Sequence, residues 1–103
     1  MYVILTSKPG QFRTEVTDGL VPVEAYDYVF HGRSRAQFVI AELTQAMKVT
    51  VVDEAFPPVV NRVPSKFLPS FETAEAARAE LNHLTQYGSV RAALEKAPLP
   101  VVA

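Results

Sequence analysis

Apolar positions recur at two different periods along this chain, and the change between them falls near residue 70. Before it, hydrophobic residues alternate with polar ones or run together in short β-branched stretches. After it, they return every third and fourth residue. Period two marks strands and the longer period marks helix, so the pattern predicts a sheet followed by helical structure.

Met1 to Ser7 reads as a buried strand, stopped by the Lys8-Pro9-Gly10 turn signal. Gln11 to Val16 alternates weakly, with Phe12, Thr14 and Val16 opposed to Arg13 and Glu15, which suits an edge strand or an ordered loop. Thr17-Asp18-Gly19 is a second turn, and Pro22 keeps Leu20 to Val23 extended. The stretch from Ala25 to Glu54 carries three apolar runs, Tyr26–Phe30, Ala36–Leu43 and Lys48–Glu54, the pattern of an antiparallel meander. The middle run fits two readings. Ala36, Val39, Ile40, Leu43 and Met47 have helical spacing with Ser34 as a possible N-cap, which would make a β-α-β crossover. Phe38-Val39-Ile40 and the flanking strands favour a strand instead.

Ala55-Phe56-Pro57-Pro58 breaks the pattern, and Val59 to Val63 allows one more short strand before Pro64. Thr73 can cap a helix from Ala74 to about Gln86, with Glu75 in its first turn and Ala74, Ala77, Leu81 and Leu84 as its apolar stripe. Gly88 and Ser89 then predict a break and a second helix over Val90–Ala97, closed by Pro98. The expected fold is α+β: a mostly antiparallel sheet of about four to six strands, able to curve into a barrel, with two C-terminal helices packed on it. At 103 residues this is one domain, with residues 1–70 forming the sheet, 71–97 the helical part and 98–103 a loose tail.

Composition narrows the chemistry. There are no cysteines, which excludes disulfides, thiolate nucleophiles and cysteine-ligated metal centres. A formal net charge of -1 argues against nucleic acid as the main partner, since phosphate neutralisation calls for a basic excess. The apolar run Tyr2–Leu5 is too short for a signal-peptide core or a membrane span, so a cytoplasmic protein is expected. His31 and His83 lack a third ligand at metal spacing, and no glycine-rich phosphate loop or serine elbow is present. No catalytic residue, metal or cofactor is therefore assigned.

The strongest local signal is cationic. Arg33 and Arg35 flank Ser34 after the aromatic run Tyr26, Tyr28 and Phe30, and could hold an anion with the two tyrosines. Arg13, Arg62 and Lys66 would join them if the sheet closed on itself. A sheet this apolar has two faces, and two modest helices cover one. The expected function is accordingly a non-catalytic accessory or protein-binding domain, working as a homo-oligomer or beside a larger partner, with Phe30 or Phe56 at the interface. The alternatives are a small enzyme or ligand-binding protein holding an anionic molecule through Arg33, Arg35, Tyr26 and Tyr28, and a weak nucleic-acid binder.

Overall fold

The structure, a computed structural model, describes residues 1–85 and 92–102. Among the described residues it is a sheet-rich α+β fold built from two antiparallel sheets and one α-helix, with a short 3-10 turn at Ser65–Phe67. Its elements are β1 (Tyr2–Ser7), β2 (Phe12–Thr14), β3 (Leu20–Phe30), β4 (Arg33–Leu43), β5 (Lys48–Asp53), β6 (Val60–Pro64), β7 (Ser70–Phe71), α1 (Ala74–Thr85) and β8 (Ala92–Lys96). One sheet runs β7-β1-β4-β3-β8 and the other β2-β5-β6.

The β3–β4 hairpin is the frame. Its turn residues, His31 and Gly32, both have positive φ, 53° and 75°, as a two-residue turn matched to strand twist requires. The register runs from Phe30↔Arg33 to Leu20↔Leu43, with a shift beside Tyr28 that leaves Arg35 as the extra residue of a bulge. Residues 36–43 are thus strand. The helical alternative loses because both edges of this segment are claimed, by β1 on one side and β3 on the other.

Each face of the larger sheet has its own cover. On one face, Ile4 and Ile40 pack against Ala77 and Leu81 of α1, with Tyr26, Phe38 and Leu94 around them. On the other, Val3, Leu5, Leu20 and Ala41 pack with Val16 and with Val49 of the smaller sheet. The two sheets are tied where β1 hands over to β2: Lys8 and Phe12 exchange main-chain hydrogen bonds of 2.9 and 3.0 Å, and the Thr14 hydroxyl donates to the Thr6 carbonyl at 2.5 Å.

Three expectations are corrected here. The sheet does not close into a barrel; it splits, and the smaller sheet folds over the larger one. The described part of the expected second helix, Ala92–Lys96, is a strand paired antiparallel with β3 from Tyr26↔Lys96 to Phe30↔Ala92. Its helical spacing is overridden because β3, at 11 residues, offers a long outer ladder whose bonds outweigh a propensity of tenths of a kcal/mol per residue. The Gly88–Ser89 cap and the end of the first helix at Gln86 lie outside the described residues. Finally, Leu84, the last residue of the expected helix stripe, is 57% exposed, while Ala77 and Leu81 are fully buried.

The smaller sheet also changes the argument for a partner. It covers the face that two helices were expected to leave bare. Tyr26, Tyr28 and Phe30 are half-buried, and of the two aromatics expected at an interface, Phe30 and Phe56, Phe56 is the exposed one, at 97%.

Candidate functional site

The structure places the residues of the expected cationic cluster on several different elements. Arg33 and Arg35 stand exposed at the tip of the β3–β4 hairpin. Arg13 lies on β2 and Arg62 on β6, in the other sheet and separated from each other by β5. Arg13 pairs loosely with Glu54, at 3.8 Å. Tyr28 sits opposite Ala36 on β3, and Phe30 meets the His31 ring edge-on at 4.2 Å.

Tyr26 has other company. Its hydroxyl donates to Glu24 Oε1, and Arg78 of α1 clamps the same carboxylate, with Nε to Oε1 at 2.8 Å and Nη2 to Oε2 at 3.0 Å. The fork matches carboxylate geometry and ties the helix to β3. Arg78's hydrogen bonds hold the Glu24 carboxyl below its ordinary value, and burial raises the Tyr26 hydroxyl above its own. Sequence reasoning missed this group. Glu24 and Tyr26 share a strand face two residues apart, but Arg78 is 54 residues from Glu24 and only the docking of α1 brings it in.

Two surfaces remain with unsatisfied binding capacity. The first is β6. Among the described residues it pairs on one side only, with β5. Asp53 N–H donates to the Val59 carbonyl at 2.8 Å and Ser65 N–H to the Met47 carbonyl at 2.8 Å, so odd-numbered residues of β6 bond inward. Val60 and Arg62 therefore turn their main-chain groups outward. Pro64, next in that series, has no N–H to leave unpaired, which is how an edge strand tolerates proline. Val59 and Val60 are 51% and 57% exposed, and Phe56 projects from the loop before them. Arg62 has no carboxylate partner among the described residues.

The second is an apolar cleft of about 480 Å³ between the two sheets and α1. β1, β2 and β7 border it through Thr6, Phe12 and Phe71. Phe12, Phe38, Phe71 and Leu81 form its walls and Leu84 its mouth. Thr6, Thr14 and Glu80 are the polar residues that line it.

Among the described residues, no three side chains of metal-ligating type come together, and no helix is long and apolar enough to cross a membrane. Comparison with protein-family models, with curated proteins and with solved structures finds no match for this chain.

Proposed function

We propose that the protein is a non-catalytic protein-binding domain that takes an extended segment of a larger partner along β6. One observation carries the reading: an unpaired strand edge flanked by the exposed Phe56, Val59 and Val60. Soluble proteins ordinarily blunt such edges with charge, shortness or cover, because an open edge templates pairing with another chain. The other strands at sheet ends are shorter or more charged: β7 has two residues, β2 three, and β8 carries Glu95 and Lys96, whereas β6 carries one charge, Arg62, and has its proline at its last position. Strand addition draws affinity from main-chain hydrogen bonds and specificity from alternate side chains.

The chemistry of the partner follows from β6. Val60 and Arg62 lie on one face, so a strand added alongside sets an apolar residue against Val60 and an acid against Arg62, two positions apart. The anion-binding alternative has less support. The Tyr26 hydroxyl points at a carboxylate, which repels an anion, and the hairpin arginines are solvated.

Amide NMR with the capped peptide Thr-Val-Thr-Glu-Thr-Val-Thr tests this. The peptide should move the Val60 and Arg62 resonances, bind more tightly than its Lys-for-Glu analogue, and lose that preference in Arg62→Glu. Equal binding of the two peptides, or self-association of the chain through β6, would overturn the reading.

A further inference from the structure

The cleft between α1 and the two sheets takes no part in the β6 reading, and its chemistry is specific enough to name a ligand class. Its size comes first. At about 30 Å³ of liquid volume per water, 480 Å³ corresponds to on the order of sixteen water-sized units, or roughly ten to fifteen non-hydrogen atoms of ligand. The walls are phenyl rings and aliphatic side chains, which hold an apolar body without orienting it.

Orientation must come from the few polar groups, the Thr6 and Thr14 hydroxyls and the Glu80 carboxylate, of which Glu80 carries the charge. The Thr14 hydroxyl already spends its proton on the Thr6 carbonyl. Glu80, half-buried on α1, is the ionisable residue that lines the cleft, and it has no ion-pair partner among the described residues. The nearest cation on the helix, Arg78, is committed to Glu24. A second acceptor comes from β1. Leu43 N–H donates to the Met1 carbonyl, so odd residues of β1 bond β4 and even residues turn the other way. The β1–β7 register, Tyr2↔Phe71 and Val3↔Ser70, puts Pro69 opposite Ile4. Proline has no N–H, so it cannot satisfy the Ile4 carbonyl.

We infer that the cleft binds a small amphiphile with an apolar tail and a cationic amine head, the tail among Phe12, Phe38, Phe71 and Leu81 and the head at Glu80. A carboxylate head on the same tail meets a like charge and a carbonyl oxygen, and is rejected.

Decylamine, decanol and decanoate at submicellar concentration separate the two elements of the inference, with methyl NMR of Ile4, Leu81 and Leu84 as the readout. Decanol should perturb these methyls, decylamine should bind about two- to fivefold more tightly than decanol, and decanoate should bind most weakly. Glu80→Gln should bring decylamine down to decanol and leave decanol unchanged, which also shows that the variant is folded. If decanol and decylamine both leave the methyls unmoved, the cleft takes no apolar ligand. If decanoate matches decylamine, or Glu80→Gln does not narrow their difference, the head-group assignment is wrong.

Discussion

Removing the Arg78 clamp on Glu24 gives a stability change whose size and pH dependence both follow from geometry. The bond is bidentate at 2.8 and 3.0 Å, which places it among charge-assisted hydrogen bonds of about 1.5–3 kcal/mol. The Arg78 side chain is 42% exposed against 16% for Glu24, and exposed ion pairs contribute only about 0.2–1 kcal/mol. A coupling energy of about 1 kcal/mol lies between these limits. It is read from urea unfolding of wild type, Glu24→Gln, Arg78→Met and the double variant. The sign with pH is fixed by the Glu24 carboxyl, whose folded-state value lies below its ordinary 4.5. Such a group binds fewer protons folded than unfolded. Its stabilisation is therefore full above 4.5 and is lost as pH falls through the lower, folded value. Arg78→Met should flatten that acid limb and leave the neutral region parallel to wild type. A coupling energy of zero, or an unchanged acid limb, would refute the claim that this clamp fastens α1 to β3.

The alkaline side has the opposite sign. The Tyr26 hydroxyl is raised above its ordinary 10.0 chiefly by burial, so stability falls as pH climbs past 10.0, and Tyr26→Phe should remove that loss in an unfolding titration. Leu81 is fully buried while Leu84 on the same helix is 57% exposed, so Leu81→Ala should cost about 2–5 kcal/mol in chemical denaturation and Leu84→Ala well under half as much. Thr73 accepts from the Ala76 N–H at 3.0 Å as N-cap of α1, and Thr73→Ala should cost about 1 kcal/mol. Gly19 sits at φ +98°, where an added Cβ would lie 2.8 Å from the Met47 sulfur; the thioether can move but the backbone cannot, so Gly19→Ala should cost about 1 kcal/mol or more.

How much of this was legible depends on how local the cause was. β1, β4, β5 and α1 follow from alternation, from turn residues and from the Thr73 cap, all within a few residues of what they determine. The strand at Ala92–Lys96 was not legible, because its cause is the free outer edge of β3, more than sixty residues away. The splitting of the sheet has the same character. It depends on Val49 and Val16 meeting Leu5 and Leu20 across two layers, and period two alone does not say which layer a strand joins. The candidate site shows the contrast most clearly. The apolar surplus of the sequence points to Phe56 as an interface aromatic, and it is nearly fully exposed. The expected group of Arg33, Arg35, Tyr26 and Tyr28 joined residues by proximity in sequence, whereas Tyr26 found Glu24 and Arg78 through the packing of a helix.

Amide hydrogen exchange along β6, residue by residue, probes the open edge most directly. The main-chain bonding pattern predicts slow exchange at Asn61 and Val63 and fast exchange at Val60 and Arg62 in the free protein, with the latter pair slowed by the Thr-Val-Thr-Glu-Thr-Val-Thr peptide. Slow exchange at Val60 and Arg62 before any peptide is added would mean that the edge is already occupied, and would contradict the account.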